Sequence, residues 1–262
     1  MKYCYPFIAT LALLVAFTAC KKDKATAEET GCPKGAVDLG IVMTRGDGTT
    51  YNLYWAKSNL CEDGLCANPE DYGDYYAWGE TDPYYKKGHG QDNPCLDWRD
   101  GKSGGYVGES YIWYDSSYKL KKYCTNSSAG IVDNLTELQR AENAGETMDD
   151  AARAVLGGKW RMPTDAEWEE LMKCTWDWTV QNGVSGRLVT GPNGNSIFLP
   201  AAGSRTGTDL EQTKEYGYYR SSTVNTNDPI FAWCVIFSSE TVDRSDGTFH
   251  RTLGESIRPV TE

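Results

Sequence analysis

The run Gly157-Gly158-Lys159-Trp160-Arg161-Met162-Pro163-Thr164-Asp165-Ala166-Glu167-Trp168 constrains this chain more than any other. It packs a helix stop, a short buried turn and a helix start into one block. Gly157 and Gly158 suit the left-handed conformation that ends a helix. Thr164 and Glu167 have the spacing of a capping box, in which each side chain satisfies the other residue's backbone donor. Trp168, Leu171 and Met172 then recur at helical spacing, which predicts one buried face.

The rest of the chain reads as short elements separated by long loops. Ile41–Met43 and Tyr51–Trp55 flank Asp47-Gly48 and predict a hairpin. Asn59–Asp71 reads as a loop with two cysteines, and Tyr72–Tyr123 as aromatic loop broken by Pro83, Pro94 and several glycines. A helix is expected over Thr147–Leu156, capped by Thr147, and a second over Asp165–Lys173. Strands are expected near Leu188–Thr190 and Ser196–Leu199, joined through Asn193-Gly194. Phe231–Phe237 is apolar at nearly every position and predicts a central strand buried on both faces. Asp246-Gly247 marks a further turn. Few short helices among short strands predict an α+β fold.

The N-terminus reads separately. Lys2 precedes an apolar run, Phe7–Thr18, that is too short to span a bilayer but suits a signal-peptide core. It ends in Phe17-Thr18-Ala19-Cys20 and a polar stretch beginning Lys21-Lys22-Asp23-Lys24. Small residues before a Cys resemble a bacterial lipobox, although Phe17 stands where an aliphatic residue is usual; the plainer alternative is an ordinary cleaved signal with a chance Cys. Residues 1–20 are thus expected to be a lipoprotein signal with Cys20 as the lipidated residue, 21–30 a flexible tether, and 31–262 one domain. Multiple acyl chains on Cys20 would hold the protein to a membrane. The expected location is the cell envelope, as an outer-membrane lipoprotein facing the surface or the periplasm. The formal charge of −11 disfavours nucleic acid and anionic surfaces as partners.

Of nine cysteines, Cys4 and Cys20 fall in the signal, which leaves an odd number in the mature chain. Cys61 and Cys66 are close enough to staple a loop, and export permits the bond.

Several blocks recur in a recognisable order. They are Val37-Asp38-Leu39-Gly40, Tyr72–Glu80, Gly157–Trp168, Thr175-Trp176-Asp177-Trp178, Asn193–Gly203, Gly217-Tyr218-Tyr219 and Ser256-Ile257-Arg258-Pro259-Val260. Together they cover most of the chain from Asp38, and the chain resembles the Fibrobacter succinogenes major paralogous domain (FISUMP) family, common in lipoproteins of gut anaerobes. That family is similar to formylglycine-generating enzymes and C-type lectin-like domains. The resemblance implies a mixed α+β fold with little regular structure and a loop-built surface. Arg220 departs from it, standing where the family usually has Trp.

Signals for catalysis are sparse. The formylglycine-generating relatives use a late Cys pair, whereas here only Cys234 lies in that region, within an apolar strand pattern. His89 and His250 lack partners at ligand spacing, and there is no metalloprotease, nucleophile-elbow or phosphate-loop motif. The adjacent pairs Asp149-Asp150 and Glu169-Glu170 diverge on helices. No catalytic residue and no cofactor is therefore expected, with one possible exception, a structural calcium. Asp92, Asn227, Asp228, Asp243 and Asp246 sit in oxygen-rich loops that could supply hard ligands, and equally are ordinary polar turns.

The ring-rich segment is the sharper feature. Tyr84, Tyr85, Trp98, Tyr106, Tyr111, Trp113 and Tyr114 lie in loop-like sequence. They are candidates for stacking sugar rings beside carboxylates and amides, or else anchors that hold a long loop down. Trp160, Trp168, Trp176 and Trp178 read as core. The expected function is a lipid-anchored, extracytoplasmic, non-catalytic binding module for a glycan or a host or partner protein. The alternatives are a structural or assembly envelope lipoprotein and an enzyme on a formylglycine-generating-like scaffold. Replacing Cys20 with Ala should abolish incorporation of a clickable palmitate analogue in cells; label retained by Cys20→Ala would contradict lipidation there.

Overall fold

In the computed structural model, residues 31–93, 95, 97–143, 145–244 and 249–262 are described. Cys20, Asp246 and the Asp246-Gly247 turn lie outside them. Strand β1 (Ala36–Thr44) pairs antiparallel with β2 (Thr50–Ala56) across the turn containing Asp47-Gly48. The turn is stabilised locally: the Asp47 carboxylate accepts from the Thr49 amide at 2.9 Å and the Thr49 hydroxyl at 2.7 Å.

The segment expected as loop over 59–71 contains a small hairpin, β3 (Leu60–Cys61) and β4 (Gly64–Leu65), and Cys61 is bonded to Cys66. Helix α1 is shorter than expected, Ala151–Leu156, and its cap is Asp150 rather than Thr147. The reason is chemical. The Asp150 carboxylate accepts from the Arg153 amide at 3.0 Å and from the Met162 amide, and pairs with Arg140 Nε at 2.7 Å. Gly157 ends the helix at φ +66°, the left-handed region a side chain would strain.

Helix α2 (Asp165–Met172) begins with the capping box expected at Thr164 and Glu167. The Glu167 carboxylate also accepts from Arg161 Nη1 at 2.7 Å and from the Tyr51 hydroxyl at 2.8 Å, so one buried group joins helix, preceding turn and β2. Burial and this neighbouring carboxylate push the Tyr51 phenol up to about 12.

Next come β5 (Thr175–Gln181), β6 (Val184–Thr190) and β7 (Ser196–Pro200), a continuous antiparallel sheet. The short pair β8 (Ser204–Thr206) and β9 (Asp209–Glu211) precedes β10 (Gly217–Val224), β11 (Ala232–Phe237) and β12 (Val242–Arg244). The apolar strand β11 is central in that sheet, between β10 and β12. The chain ends in β13 (Val260–Thr261), which returns to pair with β2. Among the described residues, two short α-helices with short antiparallel strands and long loops make this an α+β fold.

The first core lies where α2 meets the three-stranded sheets. Trp168 is fully buried, with its ring centroid 4.7 Å from Trp55 and its indole N–H donating to the Arg220 carbonyl at 3.2 Å. Tyr219, Phe237 and Val260 close this core. Trp176 and Trp178, expected as core, are half-buried and pack against this core, whereas half-buried Trp160 joins none of the core clusters. Trp176 and Trp178 alternate with exposed residues on β5, an edge strand with one wet side. A second core lies around Tyr76, Trp78 and Tyr123 with α1, and a third is mostly aromatic.

Two substitutions test α2 as a core element. Thr164→Ala should cost about 1 kcal/mol, and Trp168→Ala about 3–5 kcal/mol, both read from urea titrations. Near-zero losses for both would contradict it.

Candidate functional site

All seven rings singled out in the sequence join the aromatic core or pack against its edge, and most serve as anchors. Tyr84 and Tyr106 stack at 4.3 Å with nearly parallel planes. Their hydroxyls are spent internally, Tyr84 donating to Glu80 Oε1 at 2.5 Å and Tyr106 to the Tyr75 carbonyl. The Tyr85 hydroxyl accepts from the Tyr75 amide at 2.6 Å, and Tyr111 donates to the Trp78 carbonyl at 2.7 Å. Tyr84, Tyr85, Tyr106 and Tyr111 are at most 3% exposed. Burial raises all four phenol pKa values. A sugar has no access to the faces of Tyr84, Tyr85 and Tyr111, and Tyr106 offers only a groove wall. These rings are therefore corrected from ligand candidates to loop anchors. Their polar tips explain why: a long loop has many unpaired carbonyls and amides, and phenols satisfy them while burying a ring.

Trp98 and Tyr114 are half-buried and pack against this cluster. Trp113 is also half-buried; its indole donates to the Gly79 carbonyl at 2.8 Å, and its ring meets Tyr123 edge-on. Tyr114 lines a groove of about 510 Å³ whose surface is mostly apolar. The other walls include Tyr106, Gly108 and Tyr118 on one side and Thr206, His250 and Thr252 on the other.

Tyr118 was not singled out in the sequence, yet it is the most exposed tyrosine of the groove, at 52%. Its φ is +57°, a conformation seldom adopted by a bulky residue. The turn Asp115-Ser116-Ser117 holds it there. Asp115 Oδ1 accepts from the Ser117 amide at 2.8 Å and the Lys119 amide at 2.9 Å, and the Tyr118 amide donates to the Asp115 carbonyl at 3.0 Å. Gly108 lets the ring lie close, since a Cβ there would come within 3.0 Å of it. The Tyr118 hydroxyl donates to Glu109 Oε1 at 2.5 Å, and its ring meets Tyr114 edge-on at 6.2 Å. The sequence signal was the Asp-Ser-Ser turn triplet. It marks a turn but not which neighbouring ring faces water.

His250 forms the opposite rim, its ring edge-on to Phe231 at 4.9 Å. Packing takes part of the imidazole out of water, and Arg220 adds repulsion. Both hold its pKa below the ordinary value, with Asp228 opposing. The imidazole is therefore neutral at pH 7 and adds no positive charge to the groove. Beneath this rim, Arg251 is fully buried and donates to the Tyr111 hydroxyl at 3.0 Å and to the Pro229 carbonyl at 2.9 Å.

The sequence-level catalytic and metal candidates lie elsewhere. Cys234 is buried, with Sγ 3.1 Å from Glu255 Oε2; desolvation and that carboxylate push the thiol well above its usual range, away from the reactive thiolate. Arg220 Nε lies 3.0 Å from the same Oε2, off line for a hydrogen bond but close enough for charge pairing. His89 pairs with Asp92 at 2.6 Å. Asn225 Oδ1 caps the turn containing Asn227 and Asp228, accepting from the Asn227 amide at 2.9 Å. Asp92, Asn227, Asp228 and Asp243 are exposed. Among the described residues no group of three or more His, Cys, Asp or Glu side chains converges as a metal site, and no helix is long and apolar enough to cross a membrane.

No family model, curated protein or solved structure matches the chain.

Proposed function

We propose that this chain is a lipid-anchored, extracytoplasmic, non-catalytic binding module of FISUMP type, built on a lectin-like scaffold, whose groove at Tyr114 and Tyr118 takes a glycan. The observation that carries the reading is the exposed Tyr118 ring, fixed in a rare backbone conformation beside Tyr114 and two carboxylates, Glu109 and Asp115. Sugar faces stack on such rings, and carboxylates accept their hydroxyls. The groove volume falls in the usual range of small-ligand sites. Holding an exposed ring in a strained conformation costs stability, which favours a functional reason for it. The burial of Cys234 supports a non-catalytic role. The charge of −11 repels polyanionic glycans, so neutral ones fit better.

The full chain, solubilised in a detergent without a sugar headgroup, is screened on a glycan and mucin array and the hits are measured by calorimetry. Tyr118→Ala should weaken binding several-fold, from about 1 kcal/mol of lost stacking, and leave the melting curve nearly unchanged. Tyr106→Ala should lower the melting temperature instead, because that ring is a buried anchor. Full binding by a folded Tyr118→Ala variant would sink the assignment of this groove.

A further inference from the structure

A second cavity, of about 340 Å³, shares Gly108, Tyr114 and Tyr118 with the groove. Tyr118 thus contributes to the walls of both. The two halves differ in chemistry. The groove is apolar and bounded by neutral His250, whereas the second cavity brings in Glu109 and Asp115. Both carboxylates are exposed. Neither makes a salt bridge among the described residues.

Each carboxylate has one oxygen fixed by the protein and one left to a ligand. Glu109 Oε1 accepts from Tyr118, and Asp115 Oδ1 from two amides of its turn, while Oε2 and Oδ2 have no hydrogen-bond donor among the described residues. These same bonds hold both pKa values below the ordinary range, so both groups are charged at neutral pH. The neighbouring cations do not neutralise the cavity by pairing. Lys119 Nζ is bound to the Ser128 carbonyl at 2.6 Å, and Lys119 and Lys121 act on Asp115 only through their fields. The rings contribute in the same sense. Tyr111 meets Tyr114 edge-on at 5.3 Å and Tyr114 meets Tyr118 edge-on at 6.2 Å, so successive planes turn through near right angles. Tyr111 is buried, so the electron-rich π surface open to a cation is that of half-buried Tyr114 and exposed Tyr118.

We propose that the ligand of this groove is a saccharide bearing a protonated amine, its sugar face on Tyr114 and Tyr118 and its ammonium facing Glu109 and Asp115. The inference rests on the glycan reading of the groove and adds the charge of the ligand. A neutral saccharide leaves the two free carboxylate oxygens to water, and an anionic one is repelled by them. An amine-bearing one gains two charge contacts and a π surface at the same place.

The test is a matched pair: β-1,4-linked glucosamine oligomers and their N-acetylated counterparts of equal length, titrated into the detergent-solubilised full chain at pH 6 and low salt. The two ligands share sugar and linkage; N-acetylation removes the charge and adds an acetyl group, so the carboxylate variants and the salt dependence isolate the charge. The glucosamine oligomer should bind more tightly, with roughly a two- to fivefold loss for each of Glu109→Gln and Asp115→Asn. Both amides keep the acceptor oxygen that the turn uses, so the melting curves should coincide with that of the native protein. Raising salt to 0.5 M should erase most of the preference. Equal binding of both oligomers, indifferent to Glu109→Gln and Asp115→Asn but weakened by Tyr118→Ala, would overturn the amine selection while leaving the glycan groove standing. Failure of the glucosamine oligomer alone would overturn the amine selection; failure of both oligomers together with an array that yields no hit would overturn the glycan groove as well.

Discussion

Buried guanidinium groups bonded to loop carbonyls are the interaction on which the rest of this structure depends. Long loops leave carbonyls without ladder partners, and each one buried unpaired is costly. Four fully buried arginines answer this: Arg205, Arg220, Arg251 and Arg258. Arg258 ties its own segment to two distant ones, donating to Asn59 Oδ1 at 2.9 Å and the Ala56 carbonyl at 3.0 Å in one and to the Phe198 carbonyl at 2.8 Å in the other. Arg205 holds the 90–92 loop through the Gly90 and Asp92 carbonyls. Arg220 pairs with Glu255, but Arg205, Arg251 and Arg258 have no carboxylate salt bridge among the described residues. Their charges are met by carbonyl dipoles and by ring faces, as where Arg251 lies 4.5 Å from the Trp78 centroid. Complete burial pulls the Arg258 pKa down to about 10, which still leaves it charged at neutral pH.

Arg251 connects this framework to the groove. Its neighbours in sequence, His250 and Thr252, line the groove, while its side chain reaches inward to Tyr111 and to the Lys122, Tyr123 and Pro229 carbonyls. The Tyr111 ring packs against Tyr114, and Tyr114 against Tyr118. A chain of contacts therefore runs from one buried cation to the exposed ring. The fork geometry matters here, because a single guanidinium spans acceptors that a lysine ammonium cannot reach together.

Local chemistry was legible in the sequence where it depends on neighbours along the chain. The Thr164–Glu167 capping box, the stop at Gly157 and the Asp47-Gly48 hairpin each depend on a few adjacent residues, and each is present. Helix α1 shows where such reading fails. Asp150 outcompetes Thr147 as cap because Arg140 and the Met162 amide, distant in sequence, fix its carboxylate. The β5 strand is not among the expected elements, yet it carries the signal of one: its tryptophans alternate with wet residues, the period of a half-buried strand. In the ring-rich segment, composition marked the rings but could not divide buried anchors from exposed rings. That division is set by which hydroxyl finds an interior partner, as Tyr84 finds Glu80 and Tyr106 finds the Tyr75 carbonyl. Tyr118 escaped notice because its exposure follows from a positive φ imposed by the Asp115 turn, a tertiary property with only a turn signal in the sequence.

Hydrogen–deuterium exchange of an Arg251→Lys variant tests the dependence of the groove on this buried framework most directly. The substitution keeps the charge and removes the fork. Exchange should accelerate at the amides of Leu120, Lys121 and Ile131, which hold the segment below Tyr118, while the β1–β2 and β5–β6 ladders keep their protection. Native protection throughout 106–131 in the variant would contradict the claim that Arg251 holds the groove in shape.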